Sequence, residues 1–233
     1  MYYVQNIKKD SEFKFYFLGL ICADGYISKK SNRVELTLKE SDKDFLSIIG
    51  NMITDKKLYY KEKQNAYRLS LDSGEIKEEL MKYINTYEKT KHLIFPINIP
   101  SEYLISFLRG YFDGDGTIGV KMSYSKNNSH PGLRMRILGT KQFLSGYAMA
   151  LKCNSLVNFI REPSKKVNEN VYLIEYAFSS AKRILDALYN NATFKLNRKY
   201  EVFKKIDSSD SKTLIENYNT IKGHYNTQVI END

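Results

Sequence analysis

Two stretches 91 residues apart decide how this chain is read. They are Phe17-Leu18-Gly19-Leu20-Ile21-Cys22-Ala23-Asp24-Gly25-Tyr26-Ile27 and Leu108-Arg109-Gly110-Tyr111-Phe112-Asp113-Gly114-Asp115-Gly116-Thr117-Ile118. Each follows a helix-start signal, Asp10-Ser11-Glu12 or Pro100-Ser101-Glu102, and each ends at an Asp-Gly that stops the helix before a strand-like run. An internal repeat at this spacing sets the architecture. In each copy two small residues stand four apart on one helix face, Gly19 with Ala23 and Gly110 with Gly114. A glycine inside a helix costs about 1 kcal/mol relative to alanine, and close approach of a second helix is a reason to keep it. Packing of these faces on each other runs a pseudo-two-fold axis between the helices. It sets Asp24 and Asp115 side by side where both helices end.

The segments after the two helices also correspond. Arg33-Val34-Glu35-Leu36-Thr37-Leu38-Lys39 alternates polar and apolar residues, as a half-buried antiparallel strand does, and Leu133-Arg134-Met135-Arg136-Ile137-Leu138 holds the matching place. A short helix follows each strand, opening at Ser41-Asp42 and at Thr140-Lys141. Two further strands are expected over 58–63 and 66–71 in the first copy and over 157–161 and 172–178 in the second. A closing helix starts at Ser73-Gly74-Glu75 or at Ser179-Ser180-Ala181. The fold class is therefore α+β, two pseudo-symmetric αββαββα units with antiparallel sheets. The first unit is expected over residues 1–95 and the second over 96–206, joined where Pro96 and Pro100 break the chain. A polar acidic tail occupies 207–233. Residues 126–132 form the tip of the longer hairpin of the second unit.

Composition narrows the function. The 233 residues are 42% hydrophobic and 27% charged, an ordinary globular balance. The longest apolar run, residues 15–23, is far short of a bilayer span. Two cysteines, Cys22 and Cys153, cannot build a disulfide scaffold or a four-ligand zinc site. No signal peptide opens the sequence, so an intracellular, cytoplasmic location, with the DNA, is expected. The net charge is +9, and the tail after residue 206 carries five acids against two lysines, leaving residues 1–206 at +12. A body that basic repels itself unless it meets a polyanion, and nucleic acid is the leading partner.

Two carboxylates held together at the helix ends repel unless a proton or a cation lies between them. Hard oxygen ligands favour Mg²⁺, or a similar ion such as Mn²⁺, over zinc, and phosphoryl transfer is the usual purpose of such a site. The two stretches, together with Glu88-Lys89-Thr90-Lys91 and Leu196-Asn197-Arg198-Lys199-Tyr200 at the unit ends, resemble the LAGLIDADG homing endonucleases in their single-chain, two-motif form. The motif falls on 17–25 and 108–116, and the resemblance covers about residues 12–205. It departs from the family pattern at Cys22, where an earlier acid is common, and at Leu18 and Arg109, which replace a small residue. The resemblance implies that Asp24 and Asp115 are the catalytic, metal-binding acids, with Gly25 and Gly116 close to the metals. It implies one basic residue near each centre, for which Lys91 and Lys195 are the candidates, with ordinary phosphate contact as the competing role. Cys22 is read as packing and Asp113 as a capping or hydrogen-bonding residue. The implied activity is a staggered double-strand break in a long DNA site, by metal-dependent hydrolysis of one phosphodiester per strand.

The polar strand faces carry Arg33, Glu35, Thr37 and Lys39, with Arg68 and Ser70, in the first unit and Lys121, Ser123, Arg134 and Arg136 in the second. Two such faces form a saddle along a duplex, where side chains read base edges and lysines set register on phosphates. Two different units imply an asymmetric target and a monomer. A DNA-binding regulator without cleavage and an RNA maturase acting on intron RNA are the alternatives on the same fold. Protein splicing is not expected, because neither end carries its nucleophile or His-Asn pattern. A calcium loop at Asp113 fails because its sixth and twelfth places hold Ile118 and Tyr124.

Overall fold

The structure, a computed structural model, describes residues 1–124, 129–166 and 171–216. Residues 126–128 of the expected hairpin tip and 217–233 of the acidic tail lie outside the described residues, while 129–132, expected in the tip, belong to a strand. Short helix α1 (Gln5–Lys8) precedes the first motif helix, α2 (Glu12–Ala23), whose N-cap Ser11 accepts a hydrogen bond from the Lys14 N–H. Strands β1 (Gly25–Ile27) and β2 (Arg33–Lys39) follow, then α3 (Lys43–Asn51), β3 (Tyr59–Lys61), β4 (Ala66–Asp72) and α4 (Gly74–Met81). After the short α5 (Lys89–His92) the plan repeats. It runs α6 (Leu104–Asp115), β5 (Gly116–Tyr124), β6 (Ser129–Gly139), α7 (Lys141–Cys153), β7 (Ser164–Lys165), β8 (Tyr172–Ala177) and α8 (Phe178–Tyr189). A last helix, α9 (Asn197–Ser208), follows.

The two sheets have the same order, β1-β2-β4-β3 and β5-β6-β8-β7, and every neighbouring pair is antiparallel. Alternation along β2 holds as expected, with Val34, Leu36 and Leu38 buried and the residues between them facing outward. The registers match across the pseudo-two-fold, since Gly25 pairs with Leu36 and Gly116 with Ile137. One continuous apolar core runs through both units. Among the described residues no helix is long and apolar enough to cross a membrane.

The core is organised around α2 against α6. A Cβ added at Gly19 would lie 2.3 Å from the Phe107 carbonyl oxygen, and one at Gly110 would lie 2.0 Å from that of Tyr16. Here backbone meets backbone, as the small-residue spacing requires. Gly114 stands against Ala23 in the same way, at 2.3 Å from its Cβ. Both helices are almost wholly buried, from Phe13 to Cys22 and from Ser106 to Asp113.

Some expectations are corrected. Residues 157–161 form no strand. After Ser155 turns the chain at φ 59°, Val157 drops into the core while Phe159 and Ile160 stay exposed, and pairing with β8 starts only at Ser164. The strand expected over 58–63 stops at Lys61, where a 3₁₀ turn and left-handed Asn65 end it. The α8 helix opens at Phe178 rather than at the serines, and α6 follows a 3₁₀ turn over Ser101–Tyr103. The helix α9 has no counterpart in the expected plan.

The contact makes a direct prediction. Gly110→Ala should destabilise the protein by about 1–3 kcal/mol or more, because only backbone movement relieves the clash. Urea denaturation measures this, and the same change at Gly119, on the exposed sheet face, should cost far less.

Candidate active site

Where α2 and α6 end, each chain turns sharply back into a strand. A Cβ at Gly25 would lie 2.6 Å from the Ile21 Cα, and one at Gly116 would lie 2.4 Å from the Phe112 carbonyl oxygen, so both turns need glycine. The residue before each turn is the acid, Asp24 as the C-cap of α2 and Asp115 as the last residue of α6. Asp24 leans on the partner helix, its Oδ2 3.1 Å from where a Gly114 Cβ would be.

Asp24 lies at the open side of the site and Asp115 is half-buried, and neither forms an ion pair among the described residues. Burial pushes Asp24 up, against the pull of Lys199 and Lys89. Burial first and the charge of Asp24 second push Asp115 up to about 6, while Lys89, Lys199 and the Tyr111 hydroxyl oppose them. The pair is thus a site where negative charge gathers, opposed by Lys89 and Lys199 but without a salt bridge to either acid. The chemistry of the donors fits a hard divalent cation, which needs carboxylate and carbonyl oxygens and completes its shell with water or phosphate oxygens. Among the described residues no third His, Cys, Asp or Glu joins them.

Two lysines close the site. Lys89, at the start of α5, donates to the carbonyls of Ile21, Cys22 (3.2 Å) and Ala23 (3.5 Å) at the end of α2. Lys199, in the first turn of α9, donates to those of Phe112 (2.8 Å) and Gly114 (3.0 Å) at the end of α6. Each satisfies carbonyls that a helix end leaves open and sets a positive charge on the negative end of its dipole. Burial lowers both ammonium groups, Lys199 to about 8. Their effect crosses between the units, since Lys199 is the cation acting most on Asp24 and Lys89 the one acting most on Asp115.

Of the candidates Lys91 and Lys195, the first lines the same cleft as the two acids and the second points to other groups. Lys91 is exposed on the wall of a cleft of about 810 Å³ that also contains Asp24, Gly25, Lys89, Tyr111 and Asp115. Lys195 donates to Ala192 O at 3.2 Å and lies 4.7 Å from the Tyr200 ring centre. The structure brings Lys89 and Lys199 to the carboxylates instead. The signal for them was present in Glu88-Lys89-Thr90-Lys91 and Arg198-Lys199, but each run offers two cations and only the helix geometry chooses.

The remaining motif residues are structural. Cys22 is buried and its thiol is pushed up to about 12 by burial. Asp113 accepts from the hydroxyls of Tyr16 (2.6 Å) and Tyr189 (2.7 Å) and from the Leu196 N–H (2.8 Å). Arg109 donates to Phe194 O (2.7 Å), Leu188 O (2.8 Å) and Glu12 Oε1 (2.5 Å). The two sheet faces carry the other candidates. Arg33, Glu35, Thr37 and Lys39 face outward on β2 with Arg68 and Ser70 on β4, where Arg68 pairs with Glu35 at 3.0 Å. On the second face Lys121 (2.5 Å) and Arg136 (2.6 Å) share Glu175, Arg134 lies over Gly119, and Ser123 is exposed.

Two αββαββα units whose central helices cross at glycine, with paired acids and paired lysines at the helix ends, define a pseudo-symmetric α+β protein with one composite site. Its particular fold is that of the single-chain LAGLIDADG homing endonucleases. The I-LtrWI enzyme bound to target DNA aligns over 84% of this chain and 89% of its own at a TM-score of 0.59 and 13% identity. I-CpaMI bound to uncleaved DNA aligns over 96% and 98% at a TM-score of 0.58 and 13% identity. I-SmaMI, bound to uncleaved DNA in the presence of calcium ions, aligns over 91% and 93% at a TM-score of 0.54 and 12% identity. No protein-family model matches the sequence. Among curated proteins, the RNA polymerase subunit Rpo1C of Methanocaldococcus jannaschii is 24% identical over 216 residues, 89% of this chain and 22% of that protein. A probable translation initiation factor IF-2 of Thermococcus kodakarensis is 29% identical over 132 residues, 52% of this chain and 11% of that protein. The chain thus spans about a fifth or less of the length of these relatives.

The raised proton affinity of Asp115 gives a pH prediction. Asp115 has a folded value near 6 and an ordinary unfolded value near 4, so the metal-free folded state holds the extra proton between them. Stability should therefore fall as pH rises from about 4 to 6, by at most about 3 kcal/mol, and stay at the lower level above. Asp115→Asn should raise the melting temperature of metal-free protein at pH 7.5 and lose that advantage at pH 4, as calorimetry at the two pH values would show.

Proposed function

We propose that this protein is a site-specific DNA endonuclease that makes a staggered double-strand break in a long asymmetric site. The observation that carries the reading is the paired acids without ion-pair partners, set where two pseudo-symmetric helices end beneath two outward-facing sheets. The DNA-bound state of the structural neighbours supports the choice of partner.

Asp24 and Asp115 would hold a divalent cation, Mg²⁺ or Mn²⁺, at the helix junction. When bound, such a cation supplies water activation and charge stabilisation at a leaving oxygen. The protein's own groups do the rest. The carboxylates are oriented by the Gly25 and Gly116 turns, and because the proton on Asp115 competes with a cation, binding should strengthen as pH rises through about 6. Lys89 and Lys199 place two positive charges, fixed by helix carbonyls, where charge gathers on a reacting phosphate. The outward rows from Arg33 to Lys39 and from Lys121 to Arg136 receive the duplex, and the ion pairs of Arg68 and Arg136 hold their guanidinium groups in place for base edges. The pseudo-symmetric units act as halves of a monomer, one on each half-site.

Selection of cleaved sites from a random duplex library, in Mg²⁺ and in Ca²⁺, tests the reading. One recurring site should be cut with a stagger by the wild type in Mg²⁺. Asp24→Asn and Asp115→Asn should bind it without cutting, and enrichment without any cutting by the wild type would leave the regulator or maturase reading. On the recovered site, Lys89→Met and Lys199→Met should each slow single-turnover cleavage by about 10²-fold or more. Lys91→Met and Lys195→Met should change it by less than about tenfold.

A further inference from the structure

The two lysines at the helix junction are held by different neighbours. Lys89 sits in the four-residue α5, whose N-terminal residue Glu88 makes no side-chain cap. The one ion pair of that turn, Glu88 with His92 at 3.9 Å, is exposed at both ends. Lys199 is anchored from two sides. The Leu196 N–H, where α9 begins, donates to buried Asp113 of its own unit. The neighbouring Arg198 reaches into the other unit and pairs with Asp42, Nε to Oδ1 and Nη2 to Oδ2, both at 3.1 Å.

Asp42 is the informative end. Its side chain is 4% exposed, against 50% for Arg198. It closes the 3₁₀ turn Glu40–Asp42 that directly follows β2, the strand carrying Arg33, Glu35, Thr37 and Lys39. A buried carboxylate is costly unless paired, and the forked guanidinium satisfies both oxygens in one fixed geometry. Because Arg198 and Lys199 are adjacent on one helix, a fixed Arg198 fixes where the Lys199 stem departs. The Lys89 turn has its own tie between units, because the buried Thr140 hydroxyl donates to the carbonyl of Leu93, whose N–H in turn donates to the Lys89 carbonyl, but that tie involves neither Asp42 nor Arg198.

We propose that Asp42 of the first unit, acting through Arg198, is a positioning residue for Lys199, so that the two strand cuts depend on it unequally. The placement of Lys199 stands on its own, whereas the unequal cuts rest on the endonuclease reading above. Asp42→Asn is the variant of choice, since it keeps the shape of the buried side chain and leaves Arg198 able to reach solvent.

Two measurements test this. In the first, full-length metal-free protein is acylated with a small N-hydroxysuccinimide ester and read by mass spectrometry. In the wild type, Lys89 and Lys199 should both be protected relative to exposed Lys91. In Asp42→Asn, Lys199 should become several-fold more reactive while Lys89 stays protected. Unchanged protection of Lys199, or equal loss at Lys89, overturns the proposal. In the second, a supercoiled plasmid carrying the selected site is cut in Mg²⁺ under single-turnover conditions. Asp42→Asn should slow one strand about tenfold or more and accumulate nicked circles, as misplacement of one group does, with Arg198→Lys intermediate. Equal slowing of both strands, or of neither, overturns it. A wild type that leaves the plasmid intact would refute the endonuclease reading, and the acylation result would still decide where Lys199 is held.

Discussion

The closeness of α2 and α6 is the constraint from which the rest follows. Helix axes come this near only where side chains are absent, and Gly19, Gly110 and Gly114 remove them at the points of contact. The same crossing fixes the separation of the two helix ends and the pseudo-two-fold between the sheets. Propensity opposes these glycines, so the contact itself has to outweigh their cost. The stacked rings around it, Tyr111 on Phe143 and Phe15 on Tyr103, fill the space beside the crossing rather than within it.

That crossing creates an electrostatic difficulty at its lower end. Two acids arrive at one place, together with the negative ends of two helix dipoles. The dipoles are met by Lys89 and Lys199, which bind carbonyls and not the acids. The carboxylates therefore have no salt bridge of their own and feel the two lysines only through space, a costly state for a protein to maintain. On the endonuclease reading, the atoms that cost the fold stability when ionised are the ones that would hold the cation.

Much of this was legible in the sequence because it rests on local rules. The repeat, the Asp-Gly stops, the small-residue spacing and the alternation of residues 33–39 each report a short-range preference, and the structure contains all four. The lysines were less legible. Lys89 and Lys91 differ by two places, and only the position of α5 beside the end of α2 gives the carbonyls to the first. Lys199 depends on α9, whose place is set by contacts with Asp113 and Asp42, distant in sequence. Residues 157–161 have the composition of a strand, but the turn at Ser155 aims them away from β8. Arg109 looks like a departure from the motif until its partner Glu12 is seen, and Asp113 takes the hydrogen-bonding role read for it, from Tyr16, Tyr189 and Leu196.

Those last two residues make the halves non-interchangeable. The places that Arg109 and Asp113 hold on α6 are held on α2 by Leu18 and Cys22, both members of the apolar core. A dimer of two first halves would close its core without any carboxylate to receive the buried Tyr16 hydroxyl. A dimer of two second halves would bury two guanidinium groups while lacking Glu12 to answer either of them. Each half has become the other's obligate complement, so the chain can be shortened or recombined only by moving these polar and apolar partners together.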